Sequence, residues 1–78
     1  MTVSEICEYI TKMKCDSKTM GKDEIILLSG DIHRELGLKN RMPSVCRAMY
    51  RCMRDKDIIL NQTPSGFSST IEIEYHLK

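Results

Sequence analysis

The chain has 78 residues, of which 41% are hydrophobic and 29% are charged. This length fits one small domain spanning residues 1–78, and no apolar run is long enough to cross a bilayer. The start, MTVSEICEYI, lacks the basic and apolar segments of a signal peptide, and the four cysteines form no Cys-x-x-Cys pair. These features argue against a membrane protein and a local zinc finger, and they predict a cytoplasmic domain with reduced cysteines.

Charge is distributed unevenly along the chain, although the net charge is only +1. Residues 29–56 contain seven Lys or Arg and three Asp or Glu, whereas both flanking segments contain more acids than bases. A domain with a single anion-facing surface shows this asymmetry, while a general polyanion binder is usually basic throughout. We therefore expect the middle of the chain to face an anionic partner.

The N-terminal segment predicts a helix from residue 4 to residue 13 or 14, with Ser4 or Thr2 as its cap. Its apolar residues recur at helical spacing at Val3, Ile6, Cys7, Ile10 and Met13. The polar stretch CDSKTMGKD, residues 15–23, predicts a connecting loop, with a helical turn at its start as the alternative.

The short apolar run EIILL, residues 24–28, predicts a strand. Ser29 is expected to cap a second helix, which buries Ile32 and Leu36 and ends at Gly37, where glycine suits a positive φ. His33 falls on the more polar side of that helix. We interpret it as a solvated surface histidine, with contact to a phosphate or a partner as the alternative.

Pro43 marks the start of a longer third helix, predicted over residues 42–55, because proline fits the first turn of a helix. One face of this helix is apolar and consists of Met42, Val45, Cys46, Met49, Cys52 and Met53. The opposite line is basic and contains no acid, with Ser44, Arg47, Arg51 and Arg54 on the helix and Lys39, Asn40 and Arg41 ahead of it. We expect this line to face solvent.

Residues 57–63 and 70–77 predict two strands joined by a turn that contains PSGFSS. In the second strand Ile71, Ile73, Tyr75 and Leu77 alternate with polar residues, so one face should pack on the helices. Phe67 lies near the tip of the turn. Burial against the sheet is the expectation for it, with stacking on a partner or a dimer contact as alternatives.

The segments ILLSGDIHRELGL and MPSVCRAMYRCMRDKDIIL, followed by a strand pair, resemble a winged helix-turn-helix domain. The resemblance covers nearly the whole chain and rests on the order of elements and the turn Leu36-Gly37-Leu38. It implies an α+β fold, a small winged helix with three helices and a short antiparallel sheet in the order α-β-α-α-β-β. It also implies that the third helix is a recognition helix for double-stranded DNA. The sequence departs from the family at the wing, whose tip has no Lys or Arg, so only Ser65 and Ser68 remain as weak wing contacts.

The function predicted on this basis is sequence-specific or general duplex DNA binding in transcription regulation, with a homodimer on a two-fold site as one arrangement. Base or groove contacts are assigned to Asn40, Arg41, Ser44 and Arg47, although Asn40 could instead be only a helix cap. Phosphate contacts are assigned mainly to Lys39, Arg51 and Arg54. The alternatives are a protein–protein interaction module in a larger assembly and an ordinary solvated arginine face.

Enzymatic chemistry is not expected from this sequence. Cys46 and Cys52 fall on the buried side of the long helix, without the nearby base that a thiol nucleophile needs. The two histidines and four cysteines lack metal-site spacing, and the six methionines fit a role as core residues. We therefore expect neither a metal nor a cofactor.

Overall fold

The computed structural model describes residues 1–77 and begins with the helix α1 (Val3–Thr19). Of the two candidate caps, Thr2 is the one used. Its hydroxyl accepts a hydrogen bond from the Glu5 amide, and the Glu5 carboxylate accepts one from the Thr2 amide. This capping box satisfies two amides near the helix start, and the same hydrogen bonds lower the pKa of Glu5.

The predicted end of the first helix was wrong, because α1 continues to Thr19 through the start of the predicted loop. Ser17 is buried on the face of α1 that also buries Ile6, so a serine there hid the continuation of the apolar stripe. Gly21, which has φ +89°, follows the C-cap residue Met20. The Gly21 amide donates to the Lys18 carbonyl. The next amide, of Lys22, donates to the Ser17 carbonyl, which completes a Schellman motif.

Three strands form one antiparallel sheet with β3 (Glu72–His76) between β1 (Glu24–Leu28) and β2 (Ile58–Asn61). Strand β1 has the predicted bounds, while β2 and β3 are shorter than predicted at both ends. The predicted alternation is confirmed. Its four apolar members are all buried: Ile71, Ile73, Tyr75 and Leu77.

Two further helices, α2 (Ser29–Glu35) and α3 (Met42–Arg51), are joined by a turn at Gly37, whose φ of +63° confirms the predicted hinge. Ser29 does not cap α2, because Leu28 is the N-cap residue and the Ser29 hydroxyl bonds to the chain before β3. His33 is half-buried rather than solvated, and its Nε2 accepts a hydrogen bond from the Arg41 amide at 3.4 Å. The turn is therefore closed by a side chain of α2.

The element order α1-β1-α2-α3-β2-β3 and the α+β class are as predicted. The core lies where α1, α3 and one face of the sheet meet. Its fully buried members include Ile6 and Ile10 of α1, Val45 and Met49 of α3, and Tyr75 of β3. The Tyr75 hydroxyl donates to the Met49 carbonyl at 2.7 Å, so the one buried phenol has a partner across the core.

Within residues 1–77, none of the helices combines the length and the apolar composition needed to span a bilayer.

Candidate nucleic-acid interface

Helix α3 has one buried face and one cationic face. Four of its residues are completely buried against α1 and the sheet: Val45, Cys46, Ala48 and Met49. Arg47 and Arg51 are exposed on the other side, and Ser44 is half-buried. The opposite exposure of the two faces is what the helical spacing predicted.

Three polar residues precede α3 and extend its cationic face. Lys39, Asn40 and Arg41 are all exposed. Asn40 has φ +53°, in the left-handed region that asparagine tolerates better than most residues. The N-cap residue of α3 is Arg41, so the alternative interpretation of Asn40 as the cap was wrong. Asn40 shapes the turn and presents its amide side chain beside the start of the helix.

The arginines of this face have no acidic partner among residues 1–77. In the part of the chain that the structure describes, ion pairs within 4.0 Å occur only between Arg34 and Asp31 and between His76 and Glu74. Arg41, Arg47 and Arg51 therefore keep their charges for solvent or a ligand. We name Arg41, Ser44, Arg47 and Arg51, together with Lys39 and Asn40, the α3 face.

Arg54 does not belong to the α3 face, because α3 ends at Arg51 and not near residue 55 as predicted. Two hydrogen bonds account for the end of the helix. The Lys14 ammonium donates to the Cys52 carbonyl at 3.2 Å, and the Arg54 amide donates to the Asp57 carboxylate at 2.8 Å. These partners replace the hydrogen bonds of another helical turn, and the chain bends toward β2.

The predicted wing loop lies against α2 and α3. The Tyr50 hydroxyl donates to the Gly66 carbonyl at 2.6 Å, and the Gly30 amide donates to the Ser69 carbonyl at 3.0 Å. A Cβ at Gly30 would stand 2.8 Å from that same oxygen, so only glycine permits this approach. The loop is thus held at Gly66 and at Ser69 by hydrogen bonds from α3 and α2.

Phe67 is 42% exposed, so the expectation of burial was wrong. Its ring centroid lies 5.6 Å from the central guanidinium carbon of Arg47, within the range of a cation–π contact. No sequence spacing pairs two residues on a helix and a distant loop, and only the docking of the loop brings them together. Arg47 is therefore placed by an aromatic neighbour as well as by its helix.

The two weak wing candidates differ in their environment. Ser68 is used within the fold: its carbonyl accepts from the Ser29 hydroxyl and the Cys46 thiol, and its hydroxyl contacts that of Thr70 at 3.1 Å. Ser65 is exposed, and its hydroxyl contacts that of Thr63 at 3.3 Å and accepts from the Phe67 amide at 3.3 Å. Of the two, Ser65 is the more accessible to a ligand.

All four cysteines are free thiols, as the sequence predicted for its core cysteines. Cys46 is buried, and burial raises its pKa. Burial, together with the neighbouring Cys7 thiol, raises the pKa of Cys52 to about 11. Both thiols therefore stay protonated at neutral pH, the form that is a poor nucleophile. Among residues 1–77, no three His, Cys, Asp or Glu side chains converge as metal ligands.

In comparisons with protein-family models, with curated proteins and with solved structures, nothing matches this chain.

Proposed function

We propose that this chain binds duplex DNA through the α3 face, as the DNA-binding part of a transcription regulator. The proposal depends chiefly on one observation: the exposed arginines of α3 have no carboxylate within 4.0 Å in residues 1–77, while the opposite side of the helix is buried. An unpaired line of arginines on the exposed face of a helix suits a groove lined by phosphates.

The assignment of contacts follows from position along the helix. The N-terminal residues of a helix in the major groove approach base edges, whereas cations farther along its sides meet the backbone. Arg41, Ser44 and Arg47 are therefore the candidates for base contacts, with Asn40 beside them. Lys39 and Arg51 are the candidates for phosphate contacts.

Phe67 gives Arg47 a defined direction in this proposal. An aromatic ring beside a guanidinium restricts its rotamers and leaves its edge free to donate hydrogen bonds. The family pattern places cations on the wing, and this loop has none. Here the loop would act mainly through Arg47, with the Ser65 hydroxyl as its own contact to a phosphate.

The test is binding of a labelled random-sequence duplex at several salt concentrations, for the wild type and Arg47→Gln. Loss of this arginine should weaken binding by about 1–3 kcal/mol if it contacts a base, or lower the salt slope by about 1 if it contacts a phosphate. Lys12→Gln removes the same charge from an exposed position of α1 outside this face and serves as the control. Equal affinity and equal salt slope for the two variants would rule out the α3 face as the DNA site.

A protein-interaction module is the second candidate, and the outer side of the sheet favours it. Ile26 of β1 and Ile58 of β2 both lie opposite Glu74 of β3, so the three form one row across the sheet. The two isoleucines lie in the two edge strands and are 51% and 49% exposed, so both present apolar surface to solvent. If this face is the functional one, Ile26→Ser should abolish partner binding and Arg47→Gln should leave it unchanged.

A further inference from the structure

A groove of about 560 Å³ opens between the C-terminal half of α1 and the chain that follows α3. Its basic lining residues are Lys14, Lys18, Arg51, Arg54 and His76. Its remaining walls are cysteines, Thr11, Met53 and Leu77, and no carboxylate lines it among the residues that the structure describes. We call this feature the α1–α3 groove. The four Lys and Arg side chains among these make the groove a site of positive potential.

Lys14 supplies a fixed charge in the α1–α3 groove. Its ammonium donates to the Cys52 carbonyl at 3.2 Å and lies 4.9 Å from the centroid of the Tyr75 ring. The side chain is half-buried. Because both contacts leave the ammonium positively charged without neutralising it by an acid, Lys14 contributes to the potential of the groove at its inner wall.

Lys18, Arg51 and Arg54 supply the exposed charges of the α1–α3 groove. All three are exposed, and none has a carboxylate within 4.0 Å in residues 1–77. Their convergence depends on the two helix ends that the sequence did not predict. The extension of α1 to Thr19 brings Lys18 to the groove, and the end of α3 at Arg51 lets the chain turn so that Arg54 lines the same space.

Two acids line an adjoining groove, and a third, Glu74, lies 3.3 Å from Nε2 of His76, which lines the α1–α3 groove. Asp57 lines only that second groove. Its two carboxylate oxygens accept from the amides of Arg54 and His76, each at 2.8 Å. Asp57 therefore holds the turn that presents Arg54. Asp55 lines the second groove only and is exposed.

We propose that the α1–α3 groove is a phosphate-binding site. Like charges brought together at a surface repel one another, and a multiply charged anion removes that cost. Guanidinium and ammonium donors match phosphate oxygens, and a groove of about 560 Å³ lies within the usual range of ligand sites, about 300–1,000 Å³. The phosphate could belong to a free oligophosphate or to a duplex backbone that passes Arg51, which is common to this groove and the α3 face. The site does not require that α3 reads bases.

The free-phosphate source is tested by titrating the protein with tripolyphosphate and following its amide resonances by NMR. The amides of Lys18, Cys52 and Arg54 should shift together in the wild type. Lys18→Gln/Arg54→Gln should weaken binding roughly fivefold or more relative to Lys12→Gln/Lys22→Gln, because both pairs remove two charges but only the first removes groove donors. The spectra also report whether each variant is folded.

The duplex source is tested with the same variants and a labelled random-sequence duplex. Lys18→Gln/Arg54→Gln should lower the salt slope by about 1.8, the value for two lost phosphate contacts, while the control pair should not. A specific loss with either ligand supports the site and identifies the source. Equal behaviour of the two pairs with both ligands overturns it. Arg47→Gln is scored separately, so failure of the α3 face and failure of the groove give different results.

Discussion

Ser29 connects three parts of the chain. It is completely buried, its hydroxyl donates to the Ser68 carbonyl, and its hydroxyl oxygen accepts from the Ile71 amide at 3.1 Å. Its own amide donates to the Ile71 carbonyl at 2.9 Å. The sequence shows only a serine before a helical pattern, for which a cap is the usual interpretation. Its real partners lie about forty residues away in the chain, beyond any local pattern.

Replacing Ser29 by alanine should destabilise the fold by about 1–3 kcal/mol, because the buried Ile71 amide loses its hydrogen-bond acceptor. Urea unfolding followed by circular dichroism measures the change. Ser69 is exposed in the loop that the Ser29 hydroxyl contacts, and Ser69→Ala should keep the free energy of unfolding within about 0.5 kcal/mol of the wild type. If Ser29→Ala unfolds at the same urea concentration as Ser69→Ala, the hydroxyl does not hold the loop.

The exposure of Arg47 and Arg51 could be predicted at the scale of single residues, because helical spacing puts them opposite Val45 and Met49. The position of Phe67 could not. An aromatic residue near a turn is usually buried, and its exposure here follows from the way the loop is tied to Gly30 and Tyr50. Contacts between side chains that depend on how a loop packs against the helices cannot be predicted from local sequence.

At the scale of elements, the existence and order of all six followed from periodicity and turn residues, but two helix ends did not. The end of α1 was hidden by polar residues, since a solvated helical turn and a loop have similar composition. The end of α3 could not be predicted because its apolar spacing continues to Met53. Beyond Arg51, however, Lys14 donates to the Cys52 carbonyl and Asp57 accepts from the Arg54 amide in place of helical hydrogen bonds. Lys18 was consequently absent from the predicted site. Gly21, placed just after the true end, was the available signal.

Gly21→Ala should cost about 1 kcal/mol, because φ +89° is strained for any residue with a Cβ. No atom would lie within 4 Å of the added Cβ, so the loss would come from the backbone alone. Met20→Ala provides a neighbouring control, since Met20 is 75% exposed and has a negative φ. Urea unfolding measures both variants. An unchanged midpoint for Gly21→Ala would contradict the Schellman end of α1 and, with it, the placement of Lys18.

The whole molecule has two electrostatically different sides. The α3 face and the α1–α3 groove share Arg51 and carry exposed cations, whereas the outer side of β3 carries Glu72 and Glu74. The uneven charge along the sequence predicted a basic surface formed by the middle of the chain. It did not predict that Lys14 and Lys18, from an N-terminal segment with more acids than bases, would join it. Only the packing of α1 against α3 reveals that the basic surface is continuous across two helices.

The stability of the molecule should fall in alkaline solution. Burial raises the pKa of Cys46 and Tyr75 above their ordinary values, and burial with the Cys7 thiol raises that of Cys52 from 9.0 to about 11. The unfolded chain then loses these protons at lower pH than the folded chain, so it binds fewer protons in this range. The free energy of unfolding should therefore be unaffected by these groups below about pH 9 and decrease above it, with the contribution of Cys52 lost as the pH rises through about 11.

Urea unfolding in a reducing buffer across this range measures the effect. Cys52→Ala should make the free energy of unfolding decrease less steeply with pH, because it removes one of the groups whose pKa differs between the folded and unfolded chains. Cys15→Ala removes an exposed thiol and should leave the decline as steep as in the wild type. The same slope in Cys52→Ala and Cys15→Ala would mean that the contact region of α1 and α3 around Cys7 and Cys52 is open to water. The packing that brings Lys14 and Arg51 into the same groove would then be looser than described above.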